Sequence, residues 1–319
     1  MLKPRIGLLL GDPAGIGPEI IAKLLAIPDT AELADVWLIG DPRVYRSGVE
    51  IAGVSDQGPA YLECSIDAHD VPRAQPSAAA GAYVLASLRR AIQAIGEGAI
   101  DGIVYAPLNK QAMKLAGLTQ SDELHYLAEL LNYAGDVSEL NVCDELWTSR
   151  VTSHVPFRDI AGLLTIEKIA ASARLLHRSL LTAGIRAPRM AIAALNPHAG
   201  EGGIYGTEEI TTIGPSVDML RREGILATGP LPADTIFVAA TKGTYNGVVT
   251  MYHDQGQIAL KLLGFERGVT VSGGLPVVVT TPAHGTAFDI AGQGIANVRP
   301  MQEAFALACR MARYQIVLR

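Results

Sequence analysis

The stretch Val248-Val249-Thr250-Met251-Tyr252-His253-Asp254-Gln255-Gly256-Gln257, followed by Ile258-Ala259-Leu260-Lys261, constrains this chain most. An apolar run that ends in His-Asp-Gln-Gly and passes into a helical pattern reads as a buried strand emptying into a polar loop. In open α/β sheets, ligands gather at the carboxyl ends of the strands. Two further histidines share this local context. His198 follows Met190-Ala191-Ile192-Ala193-Ala194-Leu195 and sits in the loop Asn196 to Gly203. His154 closes the stretch Leu146 to Ser153, just before Val155-Pro156.

The rest of the chain is consistent with an α/β protein. Strand patterns at Ile6–Leu10, Val36–Asp41, Ile100–Ala106 and Met190–Leu195 alternate with helical patterns at 18–25, 77–95, 123–133, 166–183, 207–223 and 301–314. Such alternation predicts a mostly parallel sheet covered on both faces. Between Gly48 and Ser77 the pattern is weak, and Gly229 to Phe237 reads as a turn leading into a short helix. The length, 319 residues, suggests two lobes. We expect residues 1–105 with 268–319 to form one lobe and 106–267 the other.

Composition excludes several classes. A net charge of -6 without a basic run disfavours a nucleic-acid partner. No apolar run approaches the roughly 20 residues of a membrane span. Cys64, Cys143 and Cys309 are odd in number and widely spaced, as expected of reduced thiols rather than a disulfide frame. With no signal-peptide pattern at Met1 to Leu10, the expectation is a cytoplasmic protein without membrane contact.

Neutral imidazole is a common ligand of zinc and suits copper, nickel and iron. Three protein ligands with an open fourth position are the pattern of a catalytic metal site. Each histidine alone is more often a structural hydrogen-bonder, but three similar strand exits favour one shared site of His154, His198 and His253. Asp254, Glu201 and Asp234 are candidate outer partners or proton carriers, and Asp234 could instead cap the helix that follows it.

The turn Gly11-Asp12-Pro13-Ala14-Gly15-Ile16-Gly17-Pro18-Glu19 is either a tight strand-to-helix turn or a ligand contact. Lys110, at another strand exit, could meet a carboxylate or phosphate, or be a solvated surface charge. The small-residue stretch from His284 to Asn297 allows close backbone approach to a flat ligand. In it, Asp289 could hold a ribose diol and Asn297 an adenine edge.

His284-Gly285-Thr286-Ala287-Phe288-Asp289-Ile290-Ala291-Gly292-Gln293-Gly294-Ile295-Ala296-Asn297 resembles the nucleotide loop of the isocitrate and isopropylmalate dehydrogenases. With the 11–19 turn, Asn196 to Glu201, Pro232 to Thr235 and Tyr252 to Gly256, the chain resembles the 4-hydroxythreonine-4-phosphate dehydrogenase family of pyridoxal phosphate biosynthesis over nearly its full length. The resemblance implies a two-lobed isocitrate/isopropylmalate dehydrogenase-like α/β/α fold with its active site in the cleft between lobes. It implies that His154, His198 and His253 bind one divalent metal, zinc foremost, with cobalt, nickel, manganese or magnesium as alternatives. NAD would lie along His284, Gly285, Thr286, Asp289 and Asn297, and Asp289 favours NAD over its 2′-phosphorylated form. A homodimer drawing site residues from both subunits is implied as well.

The implied reaction is oxidation of a secondary alcohol β to a carboxylate, followed by decarboxylation. Asp234 and Lys261 are candidate catalytic proton acceptors. The substrate positions depart from the family pattern: Glu123 and Leu124 stand in place of a His and a Thr, Thr270 in place of an Asn, and Val279 in place of an Arg, while Lys261 is kept. Losing an Arg and gaining a Glu predicts a poorer phosphate site. An unphosphorylated acid, as for the terephthalate cis-dihydrodiol dehydrogenases, is thereby favoured. A metal-dependent hydrolase or lyase without NAD and a non-catalytic binding protein are the competing classes.

Overall fold

The computed structural model describes residues 3–64, 68 and 71–318, so part of the weakly patterned 48–77 stretch lies outside the described residues. The chain forms two compact units, Met1–Gly135 with Val269–Arg319, and Asp136–Gly268. In chain order the first unit contributes β1 (Arg5–Leu9), α1 (Gly17–Leu25), α2 (Pro28–Leu33), β2 (Asp35–Gly40) and α3 (Pro42–Ala52). It continues with β3 (Ala60–Glu63), α4 (Ala78–Gly96), β4 (Gly102–Tyr105), α5 (Lys110–Leu115) and α6 (Glu123–Leu130). The second unit holds β5 (Ser138–Cys143), β6 (Leu146–Arg150), α7 (Ile160–Leu163), α8 (Ile166–Thr182) and β7 (Met190–Ala193). After these come α9 (Gly214–Arg222), β8 (Ala227–Leu231), α10 (Ala233–Thr241), β9 (Gly247–Thr250) and α11 (His253–Gly264). The chain then returns to the first unit with β10 (Val269–Gly273), β11 (Val278–Pro282) and α12 (Arg299–Leu318).

The first unit's strands run in the order β3-β2-β1-β4-β11-β10, parallel except for the antiparallel β10–β11 pair. Strand β1 is apolar on both faces: Ile6, Leu8 and Leu9 are all at most 1% exposed, as a helix-covered parallel strand requires. In the second unit the order is β5-β6-β9-β7-β8, with β5–β6 antiparallel and the other pairs parallel. The expected mixed α/β architecture with mostly parallel strands is therefore present.

The division differs from the expected one in one respect. Residues 106–135, expected in the second lobe, pack with the first unit. The cause is helix packing on α4. A Cβ at Gly81 would stand 1.9 Å from the Ala112 carbonyl oxygen, so only glycine lets α5 approach so closely. From α6, the Tyr126 hydroxyl accepts from Arg89 Nη1 at 3.0 Å.

Several elements were not evident in the sequence pattern, α3 and β8 among them. Helix α3 opens with Asp41, whose Oδ1 accepts from Arg43 N–H at 2.8 Å, and closes at Gly53 in the left-handed region (φ 62°). Strand β8 includes Gly229-Pro230 and lies at the end of its sheet, where proline is tolerated. Among the described residues no helix is long and apolar enough to cross a membrane.

Candidate functional site

Three neighbouring parallel strands of the second unit, β6, β9 and β7, carry His154, His253 and His198 just past their carboxyl ends. The exits of β6 and β9 are laced together. Val151 N–H donates to the Thr250 carbonyl at 2.9 Å, and the Thr152 hydroxyl donates to the Met251 carbonyl at 2.8 Å. That lacing brings the rings of His154 and His253 to a centroid separation of 5.4 Å. They line a cavity of about 300 Å³ with Phe157 and Tyr252, whose rings meet edge to face at 5.7 Å. Gln255, which sequence reasoning did not single out, holds the loop. Its Nε2 donates to the Ala194 carbonyl at 2.7 Å while its Oε1 accepts from Met251 N–H at 2.7 Å.

His253 Nδ1 lies 2.7 Å from Asp254 Oδ1. His198 Nδ1 lies 3.4 Å from Glu201 Oε2. A carboxylate at Nδ1 fixes the tautomer that leaves the Nε2 lone pair for a metal, which is the usual outer partnership of a histidine ligand. Asp254 and Glu201 thus lie beside the rings of His253 and His198. Asp234 is not the cap of α10: it lies in the first turn of that helix, whose N-cap is Pro232, two residues before it.

The third histidine does not join the pair within one chain. Among the described residues no group of three His, Cys, Asp or Glu side chains is arranged to hold a metal ion. His154 and His253 are the imidazoles that this chain brings together, and their donor chemistry suits a divalent metal. His198 stands on an exposed turn in which residues 198–202 all have positive φ, including the non-glycines His198 (52°), Ala199 (55°) and Glu201 (44°). The left-handed region costs about 1–2 kcal/mol for each such residue, and strain of this kind gathers at functional sites. What holds the turn is Glu209, 4% exposed and marked by no sequence pattern. Its Oε1 accepts from Leu195 N–H at 2.9 Å and Asn196 N–H at 2.8 Å, and its Oε2 from Asn196 Nδ2 at 2.9 Å.

In the first unit the 284–297 loop is anchored from the turn after β1. Ile16 N–H donates to the Thr286 carbonyl at 3.0 Å, and a Cβ on Gly15 would come within 2.7 Å of that oxygen. The tight-turn reading of the 11–19 motif is the one this geometry supports, with Gly15 serving the loop's close approach. Glu19 and Lys23 of α1 clamp the loop's far end. Glu19 Oε1 accepts from Ala296 N–H at 2.7 Å, while Lys23 Nζ donates to the Gly294 carbonyl at 2.9 Å and the Ala296 carbonyl at 2.8 Å.

The loop's residues fit a bound nucleotide. His284 Nε2 is buried and has no hydrogen-bond partner among the described residues. Burial lowers the His284 pKa against a smaller opposing effect of its contact with the Gly285 carbonyl, so the ring is neutral at neutral pH. The Cβ position of Gly285 faces open space, and Asp289 is exposed. Asn297 has a structural use as well, because its Oδ1 accepts from Arg299 N–H at 2.9 Å at the start of α12.

Lys110 Nζ lies 3.8 Å from Glu123 Oε2, so this lysine meets a carboxylate of its own chain. Val279 is wholly buried in β11, paired with Ile103, and Thr270 is half-buried in β10. Lys261 is exposed on α11, roughly 12 Å of helix rise beyond His253. Among the described residues no hydrogen bond or ion pair links Asp234 or Lys261 to the histidine pair.

The family model described as pyridoxal phosphate biosynthetic protein PdxA matches residues 32–308. A Pseudomonas aeruginosa protein provisionally named 4-hydroxythreonine-4-phosphate dehydrogenase 2 is 47% identical, over 98% of each chain. One from Symbiobacterium thermophilum, provisionally named D-threonate 4-phosphate dehydrogenase, is 36% identical over 97% of each. Among solved structures, a 4-hydroxythreonine-4-phosphate dehydrogenase from Klebsiella pneumoniae superposes with TM-score 0.85 at 35% identity over 98% of each chain. A terephthalate 1,2-cis-dihydrodiol dehydrogenase from Burkholderia xenovorans gives 0.68 at 28% identity, covering 97% of this chain and 98% of its own. The histidines at the strand ends and the clamped glycine-rich loop thus sit in a chain that belongs to the PdxA family of pyridoxal phosphate biosynthetic proteins.

Proposed function

We propose that this protein is an NAD- and divalent-metal-dependent dehydrogenase that oxidises a secondary alcohol β to a carboxylate, after which carbon dioxide is lost. The observation that carries the reading is the pairing of His154 and His253 at adjacent strand exits, with a carboxylate on His253 Nδ1. The third ligand is His198 of a second copy. This is supported by its exposed, strained turn and by the neighbouring exposed apolar side chains Ile204, Tyr205 and Ile210. The protein then works as a homodimer in the cytoplasm.

A metal held by His154 and His253 would supply Lewis acidity toward an alcohol oxygen, and NAD held along the 284–297 loop would supply a hydride acceptor. The chain's own residues do the rest. Asp254 and Glu201 orient the histidine rings. Phe157 and Tyr252 line the cavity with aromatic surface. Glu19 and Lys23 hold the 284–297 loop in the shape that receives the dinucleotide. The alcohol proton goes to Lys261 or Asp234, and separate substitutions tell them apart through the pH dependence of turnover.

The names of the similar proteins favour a phosphorylated four-carbon hydroxy acid as substrate. A second reading, an unphosphorylated acid, is favoured by the Lys110–Glu123 pair, in which a carboxylate of the chain already occupies the lysine. Steady-state NAD reduction with each phosphorylated acid and its dephosphorylated counterpart separates the two. A protein that turns over neither, while binding metal and NADH, would end the dehydrogenase reading.

A further inference from the structure

The first unit holds a second cavity, of about 560 Å³, between the turn after β1, helix α3 and the segment at Val71 and Arg73. Among the described residues three guanidinium groups line it, from Arg43, Arg46 and Arg73, against one carboxylate, Glu50. Arg43 is already engaged, with its Nη2 2.8 Å from Asp41 Oδ2. The other two meet no carboxylate among the described residues. Arg73 Nη2 donates to the Ser47 hydroxyl at 2.7 Å, a neutral partner, and Arg46 has no hydrogen bond or ion pair among the described residues.

The cavity abuts the 284–297 loop. A Cβ on Gly292 would lie 3.5 Å from Arg73 Nη1, and one on Gly294 would lie 2.7 Å from the Ile51 carbonyl oxygen of α3. Arg73 is also fixed from its other side. The next residue, Ala74, is held at φ 61°, and its N–H donates to the Ala14 carbonyl at 2.8 Å. The left-handed region is unfavourable for a non-glycine residue, and here it places the preceding guanidinium at the cavity's edge. Two like charges facing one concave space attract an anion, and the planar guanidinium fork suits phosphate oxygens. The volume is of the order expected for a small-ligand site.

We infer that Arg46 and Arg73 form a subsite for the diphosphate of an adenine nucleotide, delivered to the loop's glycine face. As the diphosphate of NAD, this deepens the dinucleotide reading above and rests on it. A free adenine nucleotide such as ADP carries the same group, so the test has an arm for each source.

The experiment is equilibrium titration of the full chain with NADH, followed by its fluorescence, and with ADP, followed calorimetrically. Wild type is compared with Arg46→Ala, Arg73→Ala and the double variant. Both side chains are exposed, and thermal melts check that each variant is folded. Each single substitution should weaken NADH and ADP about tenfold and the pair about a hundredfold, with adenosine unaffected. Wild-type binding of NADH that the substitutions leave unchanged overturns the subsite and spares the NAD reading. Arginine-dependent binding of ADP without binding of NADH keeps the subsite and removes that reading. Binding of neither ligand to wild type overturns both.

Discussion

Replacing Asp12 with asparagine probes the turn from which the 284–297 loop is anchored. Asp12 is fully buried. Its Oδ1 accepts from Ala14 N–H at 2.8 Å, while its Oδ2 has no partner among the described residues. Burial outweighs that one hydrogen bond and pushes the carboxyl from 3.8 up to about 6. The folded chain therefore holds this proton more tightly than the unfolded chain does. The associated stability is fully present below the unfolded value and is lost as pH rises through the folded one. A displacement of about 2 pK units at 1.36 kcal/mol each is on the order of 3 kcal/mol. Asparagine keeps an acceptor for Ala14 and cannot ionise. The stability of Asp12→Asn relative to wild type should thus improve by up to about 3 kcal/mol between about pH 4 and pH 7, mostly below about pH 6. Urea denaturation of both proteins across that range reads the difference directly. A difference that stays flat with pH refutes the buried-carboxylate argument.

Further outcomes follow from the same geometry. His198→Gly relieves a left-handed non-glycine residue, so it should stabilise the fold by about 1 kcal/mol while removing metal binding; thermal melts of the metal-free protein and a zinc titration check the two halves. Lys23→Met cuts two hydrogen bonds to the 284–297 loop and should weaken NADH at least about tenfold in a fluorescence titration, with zinc affinity unchanged. Glu209→Gln turns an amide toward Asn196 Nδ2 and should lower stability by about 1–3 kcal/mol in urea unfolding. If Glu123 suppresses phosphate binding by neutralising Lys110, Glu123→Gln should lower KM for a phosphorylated acid several-fold and leave KM for its dephosphorylated counterpart alone.

The sequence made the alternation of strands and helices legible, and with it the exits that carry His154, His198 and His253. Apolar runs of β1, β7 and β9 are buried on both faces, so their composition alone marks them. Helix α3 was harder to see because its buried face is only Val44, Tyr45 and Gly48, set among charged residues, although Asp41, Pro42 and Gly53 were fair boundary signals. Strand β8 is short and interrupted by Gly229-Pro230, which reads as a turn. The boundary at residue 135 turned on Gly81 meeting Ala112, a contact with no periodic signature. The same holds for Gln255 and Glu209. Their side chains bond backbone groups of other strands' exits, at Ala194 and at Leu195 and Asn196, and no local pattern encodes such a partnership.

The most direct test of the central claim is the appearance of NADH absorbance when zinc-loaded protein meets NAD and a panel of acids. The panel holds 4-phosphooxy-threonine, D-threonate 4-phosphate, their dephosphorylated forms and a cis-dihydrodiol carboxylate. The account predicts NADH together with carbon dioxide from at least one phosphorylated acid, at kcat/KM on the order of 10⁴ M⁻¹s⁻¹ or more, and loss of both products in His253→Ala. Undiminished turnover in His253→Ala, or no NADH from any of these acids with protein shown to bind zinc and NADH, would contradict it.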